Sequence, residues 1–572
     1  MSDSLGLFGG RDRPDVASAW KLYEESESFN SAIDLYDTVR VNENFYIGKQ
    51  WEGVKSNGLP TPQFNFLKRV VGFIVATITT DDVKVTAAPL AAAPDTDRLL
   101  APARIVNREF EAITERNNIP ALLREFTRNA AVDGDGCLYS WWDPDIETGQ
   151  EAKGGIRTEV IENTRVRFGN PNDRGVQSQP WILITRQSIV RETKRRAREN
   201  GMDGWDAIQP DGEEQSMDAA KRTGDKVTEL LLLWRDRGSG EIWAFESTRH
   251  CAIREPYSTG IRLYPVCWLN WDYVPDCYHG QAMITGLIPN QIFVNKIWAA
   301  VMLSNQRGAF PKVIYDKTRI KNWDNRVGAA IGVSGGDVNT VARNMDGSSV
   351  SPQIPKILEL AVEMTEKCLG ATSVALGDTR PDNTSAIIAL QRAAATPSEM
   401  TKQNLYKSVE DLYRIYLEFM GAAYGMRLVD MEPPEELREA FAFIGREAPD
   451  EIGMPFDFRI LKEHPMTLKL DVGASSYYSE IAAMQTLDNL LTGGHITALQ
   501  YLERIPDGYI PARQALINEL KTARDQGGQT PAPGKGGGPV IGGLGKPDIP
   551  TGGGFAGLQR KVLQTGTTEG LV

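Results

Sequence analysis

Few residues in this sequence have the types and the spacing that catalytic chemistry requires. Gly332-Val-Ser334-Gly-Gly336 matches the GxSxG pattern, in which a sharp turn between a strand and a helix exposes a nucleophilic serine. The residues that follow, DVNTVARN, do not form a convincing apolar helix, and the candidate bases downstream are His464 and His495. A serine hydrolase acting through Ser334 is therefore one alternative, and a glycine-rich turn is the simpler interpretation.

Soft metal ligands are concentrated in one stretch of the sequence. They are His250, Cys251, Cys267, Cys277 and His279. Zinc sites normally pair their ligands a few residues apart on two knuckles, and only Cys277 and His279 approach that spacing. A metal enzyme using His250, Cys277 and His279 is a second alternative, while buried thiols in an apolar β segment explain the same residues. We expect no metal site and no cofactor.

The sequence also lacks the phosphate-binding loop of a motor ATPase. That loop needs GxxxxGK followed by Ser or Thr, so that backbone amides and the lysine can hold the phosphates. The GK pairs that begin at Gly48, Gly534 and Gly545 are instead followed by Gln, Gly and Pro. We therefore expect a protein that is not an enzyme.

One charge pattern stands out from an acidic background. The chain has 63 Lys and Arg against 75 Asp and Glu, a net charge of −12, which argues against a protein that grips nucleic acid over most of its surface. Yet a single segment is rich in cations: Arg307, Lys312, Lys317, Arg319, Lys321, Arg326 and Arg343. Such a patch suits phosphates or an acidic protein partner, and an ordinary solvated surface explains it as well.

The hydrophobic pattern predicts an α+β protein that is mainly helical. The predicted helices lie at 14–40, 62–80, 95–117, 120–132, Ser188–Asn200, Pro289–Arg307, Ile354–Leu369, Thr384–Tyr424 with a kink at Pro397, 476–491, 495–503 and 511–524. Short β runs fill residues 136–247, and the segments FDFRIL and MTLKLDV, at 456–461 and 466–472, predict a strand pair. The Gly- and Pro-rich residues from Gly527 onward predict a flexible tail.

Two of these helices carry apolar stripes. The first stripe is Ile357, Ala361, Met364 and Cys368, and the second is Leu405, Val409, Leu412, Tyr416 and Phe419. Spacings of four and three place each set on one helix face. The periodicity leaves open whether these faces pack inside the chain or against a neighbouring subunit.

Compartment signals are weak but consistent. Five widely spaced cysteines without a CxxC motif indicate reduced thiols in a cytosolic setting. The beginning of the chain has no basic region followed by an apolar one, so we expect no signal peptide. The apolar stretch Phe64–Thr80 contains Lys68 and Arg69 and falls short of the roughly 20 residues of a membrane-spanning helix.

The order of the elements after residue 280 resembles that of tailed-bacteriophage portal proteins. A helix, a basic insert, a second helix, the polar loop GATSVALGDTRPDN and a long kinked helix follow one another. The segments FYIGKQW, PQFNFLKRVVGFIVATITTDDVKVTAAP and TSVALGDTRPDNTSAIIALQRAAAT are also similar to that family. The resemblance covers roughly residues 15–525 as an order of elements rather than as invariant chemistry.

The resemblance implies a division of the chain into the parts of a portal subunit. These are a wing at 1–280, stem helices at 281–307 and 353–369, a clip at 308–352, a tunnel loop at 370–383, a second wing segment at 384–475, a helical crown at 476–526 and the tail at 527–572. It implies a twelve-subunit ring with a central channel, located at the head-tail vertex of the virion and assembled in the bacterial cytoplasm.

The same resemblance implies partners and site residues. The partners are double-stranded DNA in the channel, the terminase large subunit, a head-completion or adaptor protein, and coat and scaffolding proteins, with no membrane. The tunnel loop near DNA is Asp378, Thr379, Arg380, Pro381, Asp382 and Asn383, and the stem cations facing the channel are Lys296, Arg307, Lys356 and Lys367. The clip docking face consists of Lys312, Lys317, Arg319, Lys321, Arg326 and Arg343. A different virion structural protein is the remaining alternative.

Overall fold

Capping residues set where the first helices begin. The computed structural model describes residues 13–56, 58–80, 83–90, 96–211, 225–309, 313–324, 326, 331–335, 337–344, 353–368, 399–431, 443, 452–464, 466–472, 487, 490–493, 495–505 and 516–517. Helix α1 (Val16–Ala32) starts at Asp15, which forms a capping box with Ser18. Helix α2 (Leu35–Ile47) follows a break at Asp34, whose φ is 53°. The prediction of one helix over 14–40 is therefore wrong.

Three further helices complete the N-terminal part. They are α3 (Phe66–Ile78), α4 (Thr96–Asn117) and α5 (Ile119–Asp133), which confirms the helices predicted at 62–80, 95–117 and 120–132. Asn65 caps α3 by accepting a hydrogen bond from the Lys68 amide. A proline suits the first turn of a helix, and Pro62 predicts a start there, but it lies before the observed helix. Pro120 does occupy the first turn of α5.

Two antiparallel sheets follow. The first has the order β3-β2-β9 and consists of β2 (Asp135–Asp143), β3 (Gly155–Ile161) and β9 (Val266–Asn270). The second runs β4 to β8 in order: β4 (Val166–Phe168), β5 (Trp181–Ile189), β6 (Lys226–Arg235), β7 (Ile242–Ser247) and β8 (Ala252–Ser258). Helix α6 (Val190–Glu199) continues directly from β5. The β-rich middle and its helix are confirmed.

The helices return after residue 280. Helix α7 (Ile288–Ala309) leads into an insert that contains β10 (Val313–Tyr315), the short α8 (Val338–Val341) and β11 (Ala342–Asn344). Helix α9 (Ile354–Cys368) follows, and after it α10 (Glu399–Phe419), which ends in a π-helical turn at Met420–Tyr424. These bounds confirm the predicted helices as far as the described residues reach. Residues 384–398 and the kink predicted at Pro397 lie outside them.

Two further antiparallel strand pairs involve residues 452–457 and 466–472. Strand β14 (Met466–Val472) pairs with β1 (Val83–Pro89), and β13 (Ile452–Asp457) pairs with β12 (Met426–Met431). The predicted pairing of 456–461 with 466–472 is therefore wrong. The short helix α11 (Ile460–Glu463) occupies the end of the first segment. Alternation identifies a strand but does not choose its partner.

The main core lies between the N-terminal helices, the first sheet and α10. Its fully buried side chains include Leu67, Phe126, Leu138 and Tyr416. The described residues thus form a mixed structure of helices and antiparallel sheets. This agrees with the expected α+β class.

The chain divides into two compact units, Met1–Tyr478 and Ser479–Val572. In the second unit, helix α12 (Ala498–Arg504) is capped by Thr497 and Gln500, as predicted for 495–503. A small cluster is formed there by Leu502, Ile505 and Ile517. Most of the helices predicted at 476–491 and 511–524, and the whole tail from Gly527, lie outside the described residues. Among the helices that are described, none is long and apolar enough to cross a membrane.

Candidate functional site: an exposed helical hairpin

Helices α7 and α9 form an antiparallel hairpin. Asn290 Nδ2, in the first turn of α7, donates a 3.1 Å hydrogen bond to Thr365 Oγ1 near the end of α9. Leu358 and Thr365 are buried, 7% and 3% exposed, and they mark the face of α9 that α7 covers. The distal ends of the two helices are joined through residues 310–353.

The apolar stripe of α9 lies beside the face that α7 covers and is only partly buried. Ile357 is 43% exposed, Leu360 50% and Met364 49%. Ala361 is half-buried, and Cys368 lies where only the helical backbone is described. These side chains form an exposed apolar surface on a helix face that no described residue fully covers.

Helix α7 is partly buried over its first turns and more exposed further along. Its buried side chains, among them Val294 and Ala299, end at Ala299. From Ala300 to Gln306 no side chain is buried, although this stretch includes Val301, Met302 and Leu303. Near its base, Phe293 is 46% exposed. Together with Met364 and three small or polar neighbours, Phe293 lines a groove of about 300 Å³ between the helices.

A buried polar network fixes the base of this hairpin. Gln291 Nε2 donates to the Phe64 carbonyl (2.6 Å) and to Asn295 Oδ1 (3.0 Å). Asn295 Nδ2 donates in turn to Gln50 Oε1 at 2.6 Å. Both α7 side chains are at most 3% exposed, and buried amides bonded to one another restrict a helix to one register. The base of α7 is thus rigidly positioned on the N-terminal helices.

A second polar centre lies where the chain turns from β9 towards α7. The Asp135 carboxylate is fully buried and accepts hydrogen bonds from Asn270 Nδ2 (2.8 Å), the Gly280 amide (2.7 Å) and Asn163 Nδ2 (3.3 Å). His279 Nδ1 lies 2.7 Å from the same carboxylate. His279 Nε2 is buried without a partner in the described part of the chain. Because the donors converge from separate segments, Asp135 ties the loop before α7 to strand β2.

The proposed metal ligands do not converge. His250 is exposed, Cys251 is buried just before β8, Cys267 is buried in β9, and Cys277 is partly buried. Across the residues that the structure describes, no group of three or more His, Cys, Asp or Glu side chains could hold a metal ion. Burial raises the pKa of Cys267 well above its ordinary value, which keeps the thiol protonated. The simpler interpretation, buried thiols in a β segment, holds for Cys251 and Cys267.

Ser334 lies in an exposed loop rather than at a nucleophile elbow. Its amide donates to the Arg319 carbonyl at 3.1 Å. The next described elements are the four-residue helix α8 and strand β11. A nucleophile elbow requires a long helix directly after the serine, and residues 337–344 do not provide one.

The basic insert has a small core of its own. Ile320 and Val341 are each 2% exposed, and the rings of Tyr315 and Trp323 stack at 5.1 Å. Its described cations are all exposed: Lys317, Arg319, Lys321 and Arg326.

Two of these four cations are partly neutralised. Arg319 pairs with Asp316 (3.5 Å), and Arg326 pairs with Asp324 (2.6 Å). Lys317 and Lys321 have no ion pair with another described residue.

The other predicted site residues are only partly described. Lys296 and Lys356 are exposed on the hairpin. The side chains of Arg307, Lys367 and Arg343 are not described, although the backbone at each position is. Lys312 and the loop Asp378–Asn383 lie outside the described residues.

Sequence reasoning missed several hairpin positions. Leu360, Phe293 and Met302 were not singled out, although they lie among the exposed apolar side chains of the hairpin. Helical spacing does predict Leu360 as part of the stripe, since it lies three residues after Ile357 and four before Met364. No spacing or motif in the sequence identifies the amides of Gln291 and Asn295.

Comparison with known proteins adds no family assignment. No protein-family model matches this chain, and no curated protein sequence matches it significantly.

Proposed function

We propose that this chain is a subunit of a bacteriophage portal, the ring at one capsid vertex through which DNA is packaged and later ejected. The observation that carries the proposal is the uncovered apolar stripe on a rigidly based two-helix hairpin. In a ring, each hairpin has a neighbour on either side, and heterologous contacts that close supply cover for such a face. The order of elements around the hairpin supports the same interpretation.

The energetics favour covering this face. Ile357, Leu360 and Met364 are each about half exposed. Burying the remaining half of such a side chain is worth about 1 kcal/mol. Three side chains per contact, repeated around a ring, therefore contribute substantially to assembly without demanding a large hydrophobic patch on the free subunit.

The charge distribution suits a conduit for DNA. Each phosphate that a protein cation neutralises adds a salt-dependent grip, so an acidic chain with a net charge of −12 resists stalling a sliding polyanion. On the described part of the hairpin the exposed lysines are Lys296 and Lys356. We assign them, with Arg307 and Lys367, to the channel-facing side of the stem.

The insert between the two helices then forms the clip. Its exposed Lys317 and Lys321 are available to an acidic partner, since neither forms an ion pair with another described residue. In the proposed assembly these partners are the terminase large subunit during packaging and the head-completion or adaptor protein afterwards. The tunnel loop would be Asp378–Asn383, and coat and scaffolding proteins would contact the outer parts of the ring.

The test is whether the purified chain forms rings. Native mass measurement and negative-stain microscopy should show a closed ring with a central channel, twelve-fold in particles assembled with the coat protein. A chain that stays monomeric, and that does not assemble in the presence of its coat protein, would contradict the proposal.

A further inference from the structure

Helix α6 presents its cations on one side. Arg191, Lys194, Arg195 and Arg198 follow one another at spacings of three, one and three, which places them on one face of a helix. The opposite face is fixed to the sheet, because Thr193 and Ala197 are both 0% exposed. The four cations therefore share a surface directed away from the core.

The platform beneath these cations is held firmly. Arg196 points inward and pairs with the carboxylates of Glu229 (2.8 Å) and Glu246. Thr193 Oγ1 also donates to Glu229 at 2.6 Å, and Asn200 Nδ2 donates to the Ile253 carbonyl at 3.0 Å. A helix anchored by buried charged hydrogen bonds presents its outer face in one orientation.

The outer face borders an open groove of about 520 Å³. Its lining combines the four cations with the apolar side chains of Ile189, Val190 and Trp205, and with Asp225 as the acidic member. Ile189 is 61% exposed. The groove is thus lined by cations and apolar side chains, in a chain whose net charge is negative.

Some cations of the groove have no carboxylate partner among the described residues. Arg195 is shared between Glu192 and Glu199, and Lys194 reaches the Asp206 carbonyl at 3.3 Å. The Arg198 guanidinium lies over the Trp205 ring, 5.6 Å from its centroid. Arg191 is exposed, and no carboxylate of a described residue pairs with it or with Arg198.

We propose that this groove binds an acidic peptide segment that also carries apolar side chains. Arg191 and Arg198 are seven residues apart, about 10 Å along the helix, so a single small anion would not reach both. Single-stranded nucleic acid commonly stacks its bases on exposed aromatic faces, and here the Arg198 guanidinium lies over the Trp205 ring. Exposed Ile189 instead suits an aliphatic side chain, flanked by carboxylates that meet the arginines.

The test uses the full-length chain and a defined probe. The probe is a fluorescein-labelled twelve-residue peptide in which pairs of glutamate alternate with pairs of leucine, and its binding is followed by fluorescence anisotropy at about 0.1 M salt. We expect binding that R191E/R198E weakens about tenfold, since it reverses two contacting charges. I189S should weaken binding about threefold by removing aliphatic cover.

A matched control distinguishes binding in the groove from a general effect of net charge. K21E/R40E makes the same change in net charge on α1 and α2, at side chains 76% and 67% exposed. It should change the affinity less than about twofold, because neither side chain lines the groove, and at about 0.1 M salt charges that do not contact the peptide are largely screened. Equal weakening by K21E/R40E and R191E/R198E would overturn the proposal.

Three further outcomes would also overturn the proposal. If R191E/R198E loses its circular-dichroism signature, the same peptide with glutamine for glutamate is titrated against the unaltered chain, and undiminished binding overturns the proposal. Tighter binding of a twelve-nucleotide oligothymidylate than of the peptide would make this a nucleic-acid groove. Self-association that R191E/R198E abolishes would make it a contact between copies. The proposal does not depend on the ring, so it survives or fails separately.

Discussion

Two helices of this chain carry apolar stripes with the same periodicity, but one stripe is buried and the other is half-exposed. On α10, Leu405, Val409, Leu412, Tyr416 and Phe419 are all at most 4% exposed, packed in the main core. On α9, Ile357 and Met364 remain 43% and 49% exposed. Periodicity thus identifies an apolar face, while the tertiary structure decides what covers it. The α10 stripe stabilises the chain, and the α9 stripe stays half-exposed, which is why we propose that a neighbouring subunit covers it.

The largest expected effect is on the α10 side of this comparison. Leu412 is 0% exposed, so L412A should lower the free energy of unfolding by about 2–5 kcal/mol through lost burial and the cavity left behind. M364A on α9 should cost the unassembled chain less than about 1 kcal/mol, because much of that side chain already contacts water. Chemical denaturation at a concentration that keeps the chain monomeric measures both. Equal losses would show that the α9 stripe is covered within the chain.

The base of the hairpin should respond with an intermediate effect. N295A removes the amide that links Gln50 and Gln291 and leaves buried polar atoms without partners, which costs about 1–3 kcal/mol. Hydrogen exchange of the first turns of α7 should accelerate at the same time. N305A, at an exposed position of the same helix, is the control and should change stability by less than about 0.5 kcal/mol. Unchanged exchange in N295A would mean that the network does not hold the hairpin.

A buried carboxyl, that of Asp133, gives an effect on stability that depends on pH. Burial raises the pKa of Asp133 to about 8, with the neighbouring Glu43 carboxylate adding to the rise and the Arg128 guanidinium opposing it. The closer partner of Arg128 is Glu43 (2.5 Å), whereas Asp133 lies 3.9 Å away. Folding therefore favours protonated Asp133.

The contribution of Asp133 to stability depends on pH. Between the unfolded value near 3.8 and the folded value near 8, the folded state binds more protons, so this group's contribution to stability falls as the pH rises through that window. D133N should flatten the dependence, whereas D37N, at an exposed side chain of α2, should not. Denaturation between pH 5 and 9 compares them. Identical pH profiles for D133N and the unaltered chain would contradict the assignment.

Local signals in the sequence predicted much of the fold. The hydrophobic pattern predicted α5, α7 and α9, Pro120 suited the start of α5, and the spacing of four and three identified a stripe on α9, because such signals act over a few residues. The break at Asp34 was missed, since an aspartate in a left-handed conformation is invisible in composition. The partner of β14 was also missed, because its choice of β1 depends on contacts between residues nearly four hundred positions apart.

The candidate site was predictable in part for the same reason. The stripe of Ile357 and Met364 was visible in the sequence, and its exposure was not. The polar network at Gln50, Gln291 and Asn295 required knowledge of which distant amides meet. The segment RETKRRAR is visibly rich in cations, yet it does not predict the groove beside α6. Only the structure shows which of these cations face outward, and that Arg196 instead pairs with Glu229 and Glu246.

The most direct test of the central claim is the mass of an α9 variant in solution. L360E/M364E places two charges on the stripe, where burying an unpaired carboxylate in a contact is prohibitive. We expect the unaltered chain and the control E359Q to form rings of equal mass, and L360E/M364E to remain a folded monomer by sedimentation and circular dichroism. Rings of unchanged mass from L360E/M364E would contradict the claim that this face joins neighbouring subunits.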